Sequence, residues 1–176
     1  MEAALRGQRV SLAVRRLTPQ DYDALRELRL ESLRLHPESF AADLAQEENS
    51  PREEWLARLA SAITFGGFFR DGLSAMVVYS RPTRPKLAHT ADLGAMYVRE
   101  AARGTGLADA MMNAVLDVAA QQVEQIKLTV NAENVRAIRF YERHGFRVVG
   151  RIPRSLRVAR RDYDELLMLR AVSSSD

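Results

Sequence analysis

The chain has 176 residues, 47% of them hydrophobic and 28% charged, and a formal net charge of +3. That length fits one domain with its own core, and the balance excludes a disordered chain. It holds no cysteine, which excludes disulfides, thiolate metal sites and cysteine nucleophiles together.

No apolar run approaches the roughly 20 residues that span a bilayer, so no membrane partner is expected. The stretch Met1-Glu2-Ala3-Ala4-Leu5-Arg6 is too polar for a secretory signal, and a cytoplasmic location is the default. Lysine occurs only at Lys86 and Lys127, so 24 of the 26 basic residues are arginine. Most arginines lie beside acidic residues, as from Asp23 to Arg34, which reads as a solvated surface rather than a nucleic-acid face. Arg151, Arg154, Arg157, Arg160 and Arg161 are the concentrated exception.

Val10, Leu12 and Val14 alternate with polar or small residues and predict a first strand. Thr18-Pro19-Gln20-Asp21 then opens a helix, with Thr18 as cap, Pro19 in the first turn and Asp21 at the positive end of the dipole. Tyr22, Leu25, Leu28 and Leu33 form its apolar face, and His36-Pro37 ends it. Ser50-Pro51-Arg52-Glu53 repeats the start signal in capping-box form, ahead of Trp55, Leu56 and Leu59. Phe68 to Arg70 and Ala75 to Tyr79 flank Asp71-Gly72, a hairpin signal. Arg81 to Lys86 holds two prolines and reads as a loop.

Thr90 to Val98 predicts the next strand, and Gly104 to about Gln121 a long helix with Leu107, Met111, Val115 and Val118 on one face. Ile126 to Val130 is β-branched and predicts a strand. Asn134 caps a short helix carrying Ala137, Ile138, Phe140 and Tyr141, with Gly145 as its stop. Phe146 to Val149 and Tyr163 to Ala171 predict the last two strands. The order implies a single α/β (α+β layered) domain with a mixed sheet over residues 1–172, followed by a frayed tail from Ser173 to Asp176.

The chemically informative stretch runs from Met96 to Ala108. A strand ends, a turn follows with Gly104 and Gly106 spaced by Thr105, and a long helix begins at once. Glycine lets backbone amides approach a ligand, and the helix start leaves amides unpaired under a partial positive charge. Together these cradle a phosphate, with Arg103 as a cation at the mouth. A P-loop is excluded because no Gly-Lys-Ser/Thr follows. A dinucleotide fingerprint is excluded because Asp109 stands where a third glycine is needed. An ordinary glycine turn opening a helix remains the alternative.

The second stretch runs from Asn131 to Phe146. With it the chain resembles the GCN5-related N-acetyltransferase (GNAT) family. Arg-x-x-Gly-x-Ala at Arg103 to Ala108 is similar to that family's acyl-CoA pyrophosphate loop. Asn-x-x-Ala-x-x-x-Tyr-x-x-x-Gly-Phe from Asn134 to Phe146 is similar to its following helix and strand. Leu28 to Leu59, with Pro37-x-x-Phe40 and the Trp55 helix, is similar to many members. The lead-in turn departs from the pattern: Arg99-Glu100 stand where a proline often follows, and Ala102 where an aromatic often precedes the loop arginine.

The resemblance implies a GNAT-type sheet, mostly antiparallel, with two parallel strands that splay apart and helices on its flanks. It implies acetyl-CoA as cosubstrate, without a metal, and transfer of the acetyl group to a primary amine by direct attack through a tetrahedral intermediate. Met96 and Val98 would offer backbone groups to the pantetheine arm. Arg103, Gly104, Thr105, Gly106, Leu107 and Ala108 would wrap the pyrophosphate. Asn134 would contact the pantetheine, and Tyr141 would protonate the departing thiolate. Asp92 is a candidate base, or a solvated strand residue. The acceptor is a small-molecule or peptide amine, and a homodimer is common in the family.

Other residues have blander readings. His144 suits the negative end of a helix. His36 and His89 make no metal motif, and Trp55 reads as packing. Asp162, Asp164 and Glu165 would meet a cationic substrate or pair with Arg160 and Arg161. A non-catalytic acyl-CoA sensor of the same fold is the competing function. Release of free CoA thiol in the presence of amines separates the two.

Overall fold

The computed structural model describes residues 11–70 and 72–172. Val10, Asp71 and the tail from Ser173 to Asp176 lie outside the described residues. Among the described residues seven strands form one sheet: β1 Leu12–Arg16, β2 Ile63–Phe69, β3 Gly72–Ser80, β4 Thr90–Val98, β5 Gln125–Asn131, β6 Arg147–Val158 and β7 Arg161–Ala171. Five α-helices among the described residues flank it: α1 Tyr22–Leu35, α2 Leu44–Asn49, α3 Arg52–Ser61, α4 Leu107–Ala119 and α5 Val135–Arg143. The strand order is β1-β2-β3-β4-β5-β7-β6, and among the described residues only β4 and β5 pair in parallel.

That parallel pairing is short. It joins Thr90 to Gln125, Ala91 to Ile126 and Asp92 to Lys127, and then the strands part. The gap so opened is where the site forms.

The pleat of β4 carries an irregularity that local sequence does not announce. Its register against β3 shifts between Met76 and Val78, and Ala95 adopts φ +52°. A left-handed alanine costs about 1–2 kcal/mol, so the surrounding ladder must hold it. The extra residue resets the side-chain alternation. Ala91 and Leu93 join the core beneath α4, whereas Tyr97 crosses to the face covered by α1 and α3. Met96 and Val98 therefore pack on the α4 side.

Two cores result. Leu107, Met111, Met112 and Val115 of α4 are fully buried on one face with Tyr141 of α5 and Phe146. Leu25 and Leu28 of α1 and Leu59 of α3 pack against Leu17, Leu73, Met76 and Tyr97 on the other. Each such side chain contributes about 1.5–3 kcal/mol of burial. Gly67 lets α4 lie close: a Cβ there would sit 2.9 Å from Met111 Sδ and 3.0 Å from Leu107 Cδ1.

Several expectations are corrected. Helix α2 was not foreseen; Asp43 caps it by accepting from the Gln46 amide at 3.0 Å. Ser50 does not cap α3. Its hydroxyl donates back to the Gln46 carbonyl at 3.2 Å, and the α3 cap position falls on Pro51. The strand expected over Phe146 to Val149 continues to Val158. The acidic cluster has other partners: Asp164 pairs with Arg151 at 2.7 Å and Asp162 with Arg157 at 2.6 Å, while Arg161 turns to Glu133 at 2.9 Å.

Candidate active site

A cleft of about 690 Å³ occupies the parting of β4 and β5. Met96 and Val98 line it from β4, Arg103, Gly104, Gly106 and Ala108 from the turn into α4, and Asn134 and Tyr141 from α5. Eight of the sequence-predicted residues thus meet in one place.

Three do not line it. Leu107 is fully buried under the helix. The Thr105 hydroxyl donates to the Ala102 carbonyl at 2.6 Å and closes the turn. Asp92 sits at the apex of the strand parting, outside the cleft lining, with its carboxylate 3.3 Å from Lys127 Nζ.

The turn has the form a phosphate requires. Gly104 (φ +74°) and Gly106 (φ +89°) are both left-handed, and a Cβ on either would project into space empty of protein within 4 Å. The first helical bond runs from the Ala110 amide to the Gly106 carbonyl at 3.0 Å. Among the described residues no backbone acceptor takes the amides from Gly104 to Asp109. These amides sit at and just before the positive end of a 13-residue helix. These residues fit a pyrophosphate.

Arg103 braces the turn. Its Nε donates to the Val98 carbonyl at 3.0 Å, and a terminal nitrogen lies 3.5 Å from His36 Nε2. The departure at Arg99 also has a physical use. Its guanidinium reaches Glu31 at 2.8 Å, Glu27 at 2.9 Å and the Leu73 carbonyl at 3.0 Å, clamping the turn to α1 and β3. The Tyr97 hydroxyl donates to the same Glu31 at 2.9 Å. Burial first, and then this carboxylate, push the Tyr97 phenol up to about 12.

The Arg99 amide donates to Ser74 on β3 at 2.8 Å. By strand alternation, Val98 and Met96 present their backbone groups to the opposite edge, into the gap. On α5, the Asn134 side chain accepts from the Ala137 amide at 3.1 Å and so caps the helix. Two turns further on, Tyr141 is only 8% exposed, edge-on to Phe140 and Phe146. Burial pushes its phenol well above the ordinary tyrosine value.

The roof of the cleft was not legible from the sequence. His36, Glu38, Ser39 and Phe40 line it from the far end of α1. Asn131, buried at the end of β5, donates to the Glu38 carbonyl at 2.9 Å and accepts from the Glu133 amide at 2.8 Å, pinning this roof. Among the described residues no group of three or more His, Asp or Glu side chains is placed to hold a metal, and no helix is long and apolar enough to cross a membrane.

The model of the acetyltransferase (GNAT) family matches residues 22–146. The chain belongs to the GNAT acetyltransferase family. Its mostly antiparallel sheet with one parallel pair, flanked by helices, is what the family resemblance implied. The chain is 27% identical over 152 residues to an Escherichia coli (strain K12) protein, the L-amino acid N-acetyltransferase AaaT, covering 79% of this chain and 85% of that one. A GNAT acetyltransferase structure from Streptococcus pneumoniae superposes with a TM-score of 0.81 at 22% identity, over 93% of this chain and all of the other. The protein yncA from Salmonella typhimurium, solved with its cofactor acetyl-CoA, superposes with a TM-score of 0.80 at 16% identity, over 94% and 96% of the two chains.

Proposed function

We propose that this protein is an acetyl-CoA-dependent N-acetyltransferase that acylates a primary amine by direct attack. The observation that carries this reading is that Gly104, Gly106 and Ala108, whose amides lack backbone acceptors, line the same cleft as Tyr141 and Asn134. Bound there, acetyl-CoA supplies an acyl group activated as a thioester.

The residues divide the work. Gly104, Gly106 and Ala108 hold the pyrophosphate by their amides, with Thr105 and Leu107 shaping the turn from behind. The gap-facing backbone groups of Met96 and Val98 run beside the pantetheine arm, whose amides complete the ladder that β5 abandons. The Val98 carbonyl is already engaged by Arg103, so the N–H groups of this strand are the donors for a developing oxyanion. Asn134 contacts the arm from the start of α5. Tyr141 stays protonated at neutral pH because burial disfavours its phenolate, and it gives its proton to the departing sulfur.

The attacking amine must lose a proton. His36 and Glu38 are the titratable neighbours lining the roof. Asp92 is paired with Lys127 and lies outside the cleft lining. The named activity of the Escherichia coli relative makes L-amino acids the first acceptors to assay, ahead of peptide amines and polyamines.

The test is release of free CoA thiol from acetyl-CoA across a panel of amines. Amine-dependent release is expected. Tight acetyl-CoA binding with no release for any amine would leave the sensor reading in its place.

A further inference from the structure

Asp109 places a carboxylate in the first turn of α4, half exposed and lining the cleft beside the phosphate cradle. An unpaired negative charge there would oppose a pyrophosphate. The fold answers it from α5.

His144 Nε2 lies 3.2 Å from Asp109 Oδ1, and His144 Nδ1 lies 2.8 Å from the Phe140 carbonyl. A carbonyl only accepts, and so does an ionised carboxylate. Nδ1 is therefore the donor to Phe140, and Nε2 is the nitrogen turned to the Asp109 carboxylate at ion-pair distance. The ring is held for this. Its side chain is 12% exposed, it lies against Phe140 with centroids 4.5 Å apart, and its own carbonyl accepts from Arg170 of β7. Arg143 approaches the same Asp109 oxygen at 3.6 Å, but from an exposed position where a pair is worth little. The charged groups around the ring are therefore Asp109 of α4, Arg143 of α5 and Arg170 of β7.

We propose that His144 is a positioning residue for the acyl donor: as an imidazolium it neutralises Asp109 and makes the α4 cradle hospitable to the pyrophosphate of acetyl-CoA. This rests on the acetyl-CoA reading above.

The experiment is a charge-rescue cycle read by calorimetric Kd for acetyl-CoA at pH 7, with circular dichroism melts confirming that each variant folds. His144→Gln unmasks Asp109 and weakens binding on the order of tenfold, equivalent to about 1.4 kcal/mol. Adding Asp109→Asn to His144→Gln brings Kd back within about threefold of the parent protein. Acetyl-pantetheine, which lacks the pyrophosphate, shows less than about a twofold change in KM with His144→Gln. An unchanged Kd in His144→Gln, a failed rescue, or an equal loss with acetyl-pantetheine would each overturn the proposal. Absence of acetyl-CoA binding by the unsubstituted protein would instead overturn the donor assignment, and this proposal with it.

Discussion

The buried side chain of Asn131 and the backbone of Glu38, 93 residues apart in sequence, are joined by a 2.9 Å hydrogen bond. This bond ties the roof of the cleft to the end of β5. Asn131→Ala leaves the Glu38 carbonyl and the Glu133 amide without their partner. The expected cost is about 1–3 kcal/mol in urea denaturation, because buried polar groups lose their hydrogen bonds. An unchanged denaturation midpoint would show that the roof stands without this bond.

Gly106→Trp tests the cradle. The backbone at φ +89° resists any side chain by about 1–2 kcal/mol, and the indole would fill the space above the turn. Calorimetry with acetyl-CoA is expected to record no binding, while far-ultraviolet circular dichroism stays that of a folded α/β protein. Unchanged affinity would contradict the assignment of the turn.

Tyr141→Phe removes one hydroxyl and nothing from the packing against Phe140 and Phe146. The expected outcome is a fall in kcat on the order of 10²–10⁴-fold, with the acetyl-CoA Kd nearly unchanged. Equal losses in both would remove the acid role and leave Tyr141 as packing.

Much of the fold and half of the cleft were legible because their signals are local. Thr90 to Val98 was read to the residue, and Asn134 and Gly145 bracket α5 as cap and left-handed stop. Helix α2 was missed because its six residues are too short to show a period. Strand β6 was cut short because Arg151, Pro153 and Arg154 interrupt any alternation; the strand bulges there, and Asp164 accepts from the Arg154 amide at 2.8 Å. The roof was invisible for a different reason. Nothing near His36 says that a strand end almost a hundred residues later will hold it. His144 was read as a helix-end cation, and only the approach of α4 shows which carboxylate it serves.

Asp21 sets an acid limit on the first helix. Its carboxylate accepts from Arg15 at 2.6 and 2.8 Å and from the Thr18 amide at 2.8 Å. Arg15 foremost holds the carboxyl well below the usual range. A depressed folded pKa means that the stabilisation is complete above the unfolded value of about 3.9 and is lost as pH falls beneath it. Asp21→Asn is therefore expected to lower the urea midpoint at neutral pH. The gap from the parent protein should narrow between about pH 5 and pH 2. A gap that stays constant over that range would show that the ion pair does not carry the effect.

The left-handed turn of Ala95 makes β4 a strand with two reading frames. Upstream of it, odd-numbered side chains belong to the α4 core. Downstream, the even-numbered Met96 and Val98 take over that bank, and Tyr97 is handed to α1. Excising that single alanine would exchange the occupants of both banks from that point onward. A phenol would be driven under α4, and Met96 and Val98 would be thrust against Glu31. One inconspicuous residue thus decides which side chains each face of the sheet receives.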